Sequence, residues 1–376
     1  MLKKKLLLAL ALLLVFSCQK PRLEVDLQLT ETVAYTESIN YARQNYLGVT
    51  VRTPLKAVDE RGLSGLPTMN LLTVGRHMFF TTFNGYLYLL RLDDIYEGAH
   101  TRISDGGRAC PTLYGIRIFI PSEDERFGLY VYNLPQGKTE WQLEGQPSFA
   151  SPVVIDTAVF HTSWRGNIFS LKIQSGVINW DTNIGENIRF SLAYGQDRLF
   201  AGGDQGTIRC LNPQDGSLLW NRSLNEALSG SPVLCRDRLL IVTYPGNLFI
   251  LDSQNGEVLH KLSFGINLYT QVSTDGRIIV IPLSDGRIQA YRFSNFDPLW
   301  SRELTGPASA PLLITDNCVL VGTTRNLFAI LDRYSGEVLQ EIQLEGRPRT
   351  TPLVFDDKIY LAYEYKELVI YAPQEE

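Results

Sequence analysis

The residues that could do chemistry are few and scattered. His77, His100, His161 and His260 lack the close pairing of a zinc site. Cys110, Cys210, Cys235 and Cys318 show neither CxxC spacing nor an adjacent pair, and they read as buried thiols. Cys110 stands near Arg108 in GRACP, which would suit a thiolate, but it opens a recurring apolar run and is better placed as a structural residue. Asp156, Asp204, Asp252 and Asp332 sit at turns, whereas calcium needs about six to eight oxygens converging on one point. GGDQG, Gly202 to Gly206, is not followed by a helix, so it lacks the dipole of a phosphate cradle. No GxSxG elbow is present. We assign no catalytic residue, no metal ligand and no cofactor.

The chemistry-bearing types are set on a repeat. Glycines at Gly137, Gly176, Gly216, Gly256 and Gly336 are each followed four residues on by Trp141, Trp180, Trp220, His260 and Gln340. Trp300 keeps the phase, forty residues after His260, although its turn, NFDPL, has no glycine. A second marker opens an apolar run eight times, at Pro67, Pro111, Pro152, Leu192, Pro232, Gln271, Pro311 and Pro352. Each period of about forty residues holds four short strands joined by Gly, Asn and Asp turns. Such a meander cannot bury both faces alone, so the units must stack radially. The sequence predicts an all-β fold: an eight-bladed β-propeller of four-stranded antiparallel blades. The last unit ends after three strands, so an N-terminal strand, expected near Asn45 to Val51, must close the ring.

The chain begins MLKKKLLLALALLLVFSC, a basic start and a short apolar run before a cysteine. VFSC resembles a bacterial lipobox. The expected organisation is a signal peptide over 1–17, a lipidated Cys18 heading a tether over 18–44, and a propeller over 45–376. The protein is then exported and anchored by lipid, in the outer membrane facing the periplasm or at the cell surface. Removing Lys3, Lys4 and Lys5 with the leader takes the formal charge from -5 to -8, which argues against nucleic acid as a partner.

Units such as LNPQDGSLLW, LKIQSGVINW and LDSQNGEVLH resemble the PQQ-like repeat family, and the resemblance runs from about residue 45 to the end. It implies that Trp141, Trp180, Trp220 and Trp300 dock between blades, with weaker contacts at His260 and Gln340. The family holds quinone- and calcium-dependent dehydrogenases, and also non-enzymatic scaffolds that include the lipoprotein subunit of the outer-membrane β-barrel assembly machine. The dehydrogenases carry long insertions, and many carry a Cys-Cys pair; this chain has neither. The resemblance therefore implies a non-enzymatic, monomeric scaffold for an outer-membrane β-barrel assembly protein. The alternatives are a quinoprotein-like dehydrogenase and a glycan- or peptide-binding propeller.

The loops leading into the innermost strands should ring one mouth of the channel. They place Ser64, Arg108, Phe149, Arg189, Ser229, Leu268, Ala308 and Arg349 at one repeat position, with Arg347 alongside. Turns between second and third strands should share that face and bring Trp164, Arg165, Tyr244, Tyr363 and Tyr365. Arg and aromatic side chains are the types that anchor protein interfaces. Arg108, Arg189, Arg347, Arg349, Trp164, Tyr244, Tyr363 and Tyr365 are the expected partner-binding residues.

Overall fold

A computed structural model describes residues 34–35, 40–68, 70–104, 106–365 and 367–374. The expected signal peptide, Cys18 and most of the tether lie outside the described residues. Eight antiparallel sheets follow one another along the chain, and among the described residues no helix is long and apolar enough to cross a membrane. The fold is an eight-bladed propeller. Blade 5 is representative: Val233–Cys235, Arg238–Thr243, Asn247–Asp252 and Val258–Ser263 run from the axis outward.

The burial pattern explains the sequence pattern. The two middle strands of blade 5 are buried almost throughout, because both faces of a blade pack against neighbouring blades. The outer strand alternates exposed and half-buried. The core therefore lies in the seams. Between blades 5 and 6, Leu240, Val242 and Ile250 meet Ile279 and Ile281, and between blades 7 and 8, Leu320, Phe328 and Ile330 meet Ile359 and Leu361. Each such side chain contributes about 1.5–3 kcal/mol on burial.

The ring closes with an N-terminal strand, but not the one expected. Leu55–Gly62 is the outer strand of blade 8 and pairs antiparallel with Glu367–Pro373, from Leu55 opposite Pro373 to Gly62 opposite Glu367. Its sequence, LKAVDERG, is polar because an outer strand is largely solvated.

Asn45 to Val51 belongs to a belt with a different task. The inner strand of each blade presents an unpaired edge to the axis. The backbone N–H groups of Tyr194, Leu234, Thr274 and Ile314, at matching positions in blades 4 to 7, donate to the carbonyls of Tyr41, Ala42, Gln44 and Asn45 at 2.8–3.0 Å. In blade 3, Val154 N–H donates to the Tyr41 hydroxyl at 3.0 Å. Burial raises the Tyr41 hydroxyl far above the usual tyrosine range, so it stays protonated. Arg43 is fully buried and donates from Nε to the Leu192 carbonyl at 3.0 Å. Upstream, Ala34–Tyr35 pairs with blade 2, so the chain visits successive inner strands before reaching blade 8. Residues 41–44, which the sequence placed in the tether, are thus bonded into the propeller.

Candidate functional site: the loop-face funnel

The repeated tryptophans form the seams. Trp141, Trp180, Trp220 and Trp300 donate from Nε1 to the carbonyls of Ile173, Pro213, Ser253 and Arg333, each in the next blade, at 2.8–3.0 Å. Each indole also lies on the turn glycine of that next blade: Gly176, Gly216, Gly256 and Gly336. A Cβ at Gly176 or Gly336 would stand 2.6 Å from the ring, and both residues have positive φ. Glycine is therefore required twice, for the turn and for the neighbour's tryptophan. Gly137 serves the turn of blade 2 at φ 64°.

The two departures from the pattern are compensated and not merely weak. His260 stacks on Phe296 with centroids 4.6 Å apart, and Phe296 occupies the glycine position of the next turn. Gln340 grips the closing strand, accepting from Leu55 N–H at 2.6 Å and donating to the Leu55 carbonyl at 2.8 Å.

Function must then be sought among unrepeated residues. Turns between second and third strands are tied to the loops entering the inner strands: Trp164 N–H to Pro147, Asp204 to Asn187, Tyr244 to Ala227 and Glu364 to Arg347. These two loop sets therefore form one face. At its centre is a cavity of about 500 Å³ that brings together Arg108, Phe149, Arg189 and Ser229 from the expected ring. Its floor holds the small residues of the strand openings. Ser151 N–H donates to Ser191 Oγ at 2.9 Å, and Ser191 N–H to Ser231 Oγ at 3.2 Å, which stitches blades 3, 4 and 5 together.

The other expected residues are spread out. Ser64 is exposed, Ala308 is half-buried and Leu268 is in the core. Tyr363 is 5% exposed and packs with Val369 and Tyr371, so it does not present to a partner. Tyr365 and Tyr244 are 74% and 49% exposed. Trp164 is half-buried under the Arg165 guanidinium, 5.6 Å from its ring.

Sequence reasoning missed several lining residues: Glu123, Phe190, Tyr269 and Gln271. Tyr269, 60% exposed and 5.8 Å from Tyr244, sits one residue after the ring position and could have been found by counting one further. The ring also carries less net positive charge than its arginines suggest. Arg108 faces Glu123 at 3.9 Å, Arg189 faces Asp204 at 3.8 Å, and Arg347 and Arg349 share Glu364 at 3.0 and 2.6 Å. The arginines at 108 and 189 are largely exposed, so each of their pairs contributes at most about 1 kcal/mol and can be exchanged for a partner's carboxylate. Among the described residues no three His, Cys, Asp or Glu side chains gather as a metal ligand set.

The arrangement defines a propeller whose loop face is an amphipathic, charge-paired surface around a shallow funnel. The family model described as outer membrane protein assembly factor BamB matches residues 97–191 and 186–310, and the chain belongs to that family. No curated protein matches the chain. Among solved structures, BamB from Moraxella catarrhalis is 17% identical with TM-score 0.67, covering 86% of this chain and 99% of that one. The quinohemoprotein alcohol dehydrogenase of Comamonas testosteroni is 12% identical with TM-score 0.76, covering 91% and 81%. The computationally designed Ika8 protein is 16% identical with TM-score 0.70, covering 83% and 97%. At these identities the likeness is one of fold.

Proposed function

We propose that the protein is a non-enzymatic envelope lipoprotein, lipidated at Cys18 after removal of residues 1–17, that works as a monomeric scaffold in outer-membrane β-barrel assembly. The observation that carries this reading is the loop face. Arg108, Arg189, Trp164, Tyr244 and Tyr365 lie on one surface, with Tyr269 beside Tyr244, and the arginines are held by carboxylates that a partner can replace. The family's printed description supports the process. The test is co-purification from detergent extracts of envelopes. The wild-type chain retains an outer-membrane barrel assembly protein. Changing Arg108, Arg189 and Arg349 together to Glu places acid against Glu123, Asp204 and Glu364 and releases it. Retention by the triple variant at unchanged unfolding temperature overturns the assignment. Saturable binding of pyrroloquinoline quinone with calcium, together with dye reduction, overturns the scaffold reading.

A further inference from the structure

In blades 2 to 7 one residue of the outer strand reaches across the seam to the next blade. In blades 3 to 6 it pairs with the fourth residue after the glycine of the preceding turn. Ser170, after Gly166, pairs with Trp180, and Cys210, after Gly206, with Trp220. Ile250, after Gly246, pairs with His260, and Ala290, after Gly286, with Trp300. In blade 1 the fourth residue after Gly85 is Leu89, and it pairs with Ala99. An aromatic side chain buries about 150–250 Å², and the methyl group of Ala99 covers a small part of that. His100, next in the strand, stacks on Tyr88 of its own blade with centroids 4.8 Å apart.

The turn of blade 2 shows the gap. Gly137 keeps a positive φ of 64° but is exposed, whereas under the tryptophans Gly176 and Gly216 are half-buried and Gly256 and Gly336 buried. Among the described residues, a Cβ on Gly137 would meet only the Tyr132 hydroxyl of its own blade, 3.7 Å away. The rest of the seam is packed, with Leu72, Phe79, Leu113, Ile120 and Tyr132 in one cluster. On the loop face a pocket of about 310 Å³ straddles the same boundary, with Phe83 of blade 1 on one side and Glu123 and Asp124 of blade 2 on the other. The connection between the two blades lines it with Gly106 and Gly107. A Cβ on Gly107 would stand 3.4 Å from its nearest neighbour, an ordinary contact, so space does not demand this glycine and it leaves the connection free to bend. The seam between blades 8 and 1, where the chain closes, is tied: the Tyr360 hydroxyl donates to the Leu92 carbonyl at 2.7 Å and the Tyr96 hydroxyl to the Glu60 carbonyl.

We propose that the seam between blades 1 and 2 is where the folded ring opens, by separation of these two blades while the other seams stay shut. The seams of a closed ring bear any distortion in series, so opening goes to the one whose tie buries least. Separation there widens the pocket between Phe83 and Glu123 and gives the loop face an adjustable sector. The proposal stands whether or not the loop face binds a partner.

The native thiols report on separate seams. Cys110 lies in the cluster between blades 1 and 2, Cys210 in that between blades 4 and 5, and Cys318 in that between blades 7 and 8, all buried. The full chain in detergent is labelled with a maleimide, and the rate at each thiol is divided by its rate in denaturant. On that scale Cys110 is expected to react at least about tenfold faster than Cys210 and Cys318. Ala99→Trp sets an indole over Gly137 and should slow Cys110 to the range of the other two without changing them. Trp220→Ala removes the indole from the seam that holds Cys210 and should speed Cys210 by at least about tenfold. A Cys110 as protected as the other two overturns the proposal. So does a folded Ala99→Trp chain with an unchanged Cys110 rate, because the reagent would then enter from the funnel. No response of Cys210 to Trp220→Ala overturns the premise that the aromatic ties hold the seams shut. Where Ala99→Trp melts below wild type, the order of the native thiols and the Trp220→Ala response decide alone.

Discussion

At four seams a tryptophan lies on a glycine, and at one seam His260 lies on Phe296. If the two positions are one mechanical unit, they must be exchanged together. His260→Trp alone sets an indole against a phenyl ring where the other seams have no room even for a Cβ. That overpacking costs about 1–3 kcal/mol. Phe296→Gly alone relieves a non-glycine residue at φ 62° but strips the ring from under His260 and from beneath the Arg238 guanidinium, 5.0 Å from its centroid. The net loss is about 1–2 kcal/mol, because Phe296 is half-buried and the strain relief returns about 1 kcal/mol. The double variant rebuilds the tryptophan-on-glycine pair, with the new indole Nε1 in reach of the next blade, as for the tryptophans of blades 2, 3, 4 and 6. The expected coupling is about 2–3 kcal/mol in favour of the double variant. Thermal unfolding midpoints of the four proteins read it: both single variants melt below wild type, and the double melts above both. Additivity within about 0.5 kcal/mol would refute the claim that the two positions form a unit.

Other expectations follow from single contacts. Arg333 and Asp275 are almost fully buried as a pair, with Arg333 also donating to the Thr315 carbonyl at 3.1 Å; Asp275→Asn strands the guanidinium and should cost about 3–5 kcal/mol in denaturant unfolding, more than Asp275→Asn with Arg333→Met together. His161 is buried with Nε2 against the Gln146 carbonyl at 2.9 Å and no partner at Nδ1, and burial pushes its pKa down from 6.5 to about 4, against the opposing pull of that hydrogen bond. Between those values the unfolded chain binds the extra proton, so stability is full above pH 6.5 and falls by about 3 kcal/mol as pH drops to 4; His161→Gln should flatten that part of the pH profile measured by unfolding. Gln340→Ala frees both backbone groups of Leu55, and hydrogen exchange at Leu55 should accelerate by about tenfold or more. Burial raises the thiols of Cys210 and Cys318 to about 11, so both should resist maleimide in the native fold and react once it is denatured.

The fold was legible because its signals are local and repeated. A turn needing positive φ at Gly216, and a large ring at Trp220, recur at one phase and need no long-range knowledge. The closing strand was misplaced by about ten residues for a physical reason. Asn45 to Val51 looks like a core strand because it is apolar, yet it satisfies the inner strand of blade 7 through its backbone, with the Asn45 and Val49 carbonyls accepting and Leu47 N–H donating, and any sequence could supply those groups. Leu55–Gly62 looks like a linker because an outer strand needs few apolar side chains. The site was legible only in part. Arg108 and Arg189 were placed at one mouth by counting, but their carboxylate partners come from a different turn, at Glu123 and Asp204, whose distance in space no spacing encodes. Tyr363 was misplaced on the surface because the side-chain direction at a strand end depends on a register the sequence does not display.

The central claim, that the loop face is the working surface, is tested most directly by photo-crosslinking in intact envelopes. A benzophenone side chain at Tyr244 or Tyr365 probes the loop face, and one at Tyr334, 68% exposed in a turn of the opposite face, probes the control. The account predicts a specific adduct with an outer-membrane β-barrel assembly protein from Tyr244 and Tyr365 and none from Tyr334. Adducts from Tyr334 with none from the loop face would contradict it.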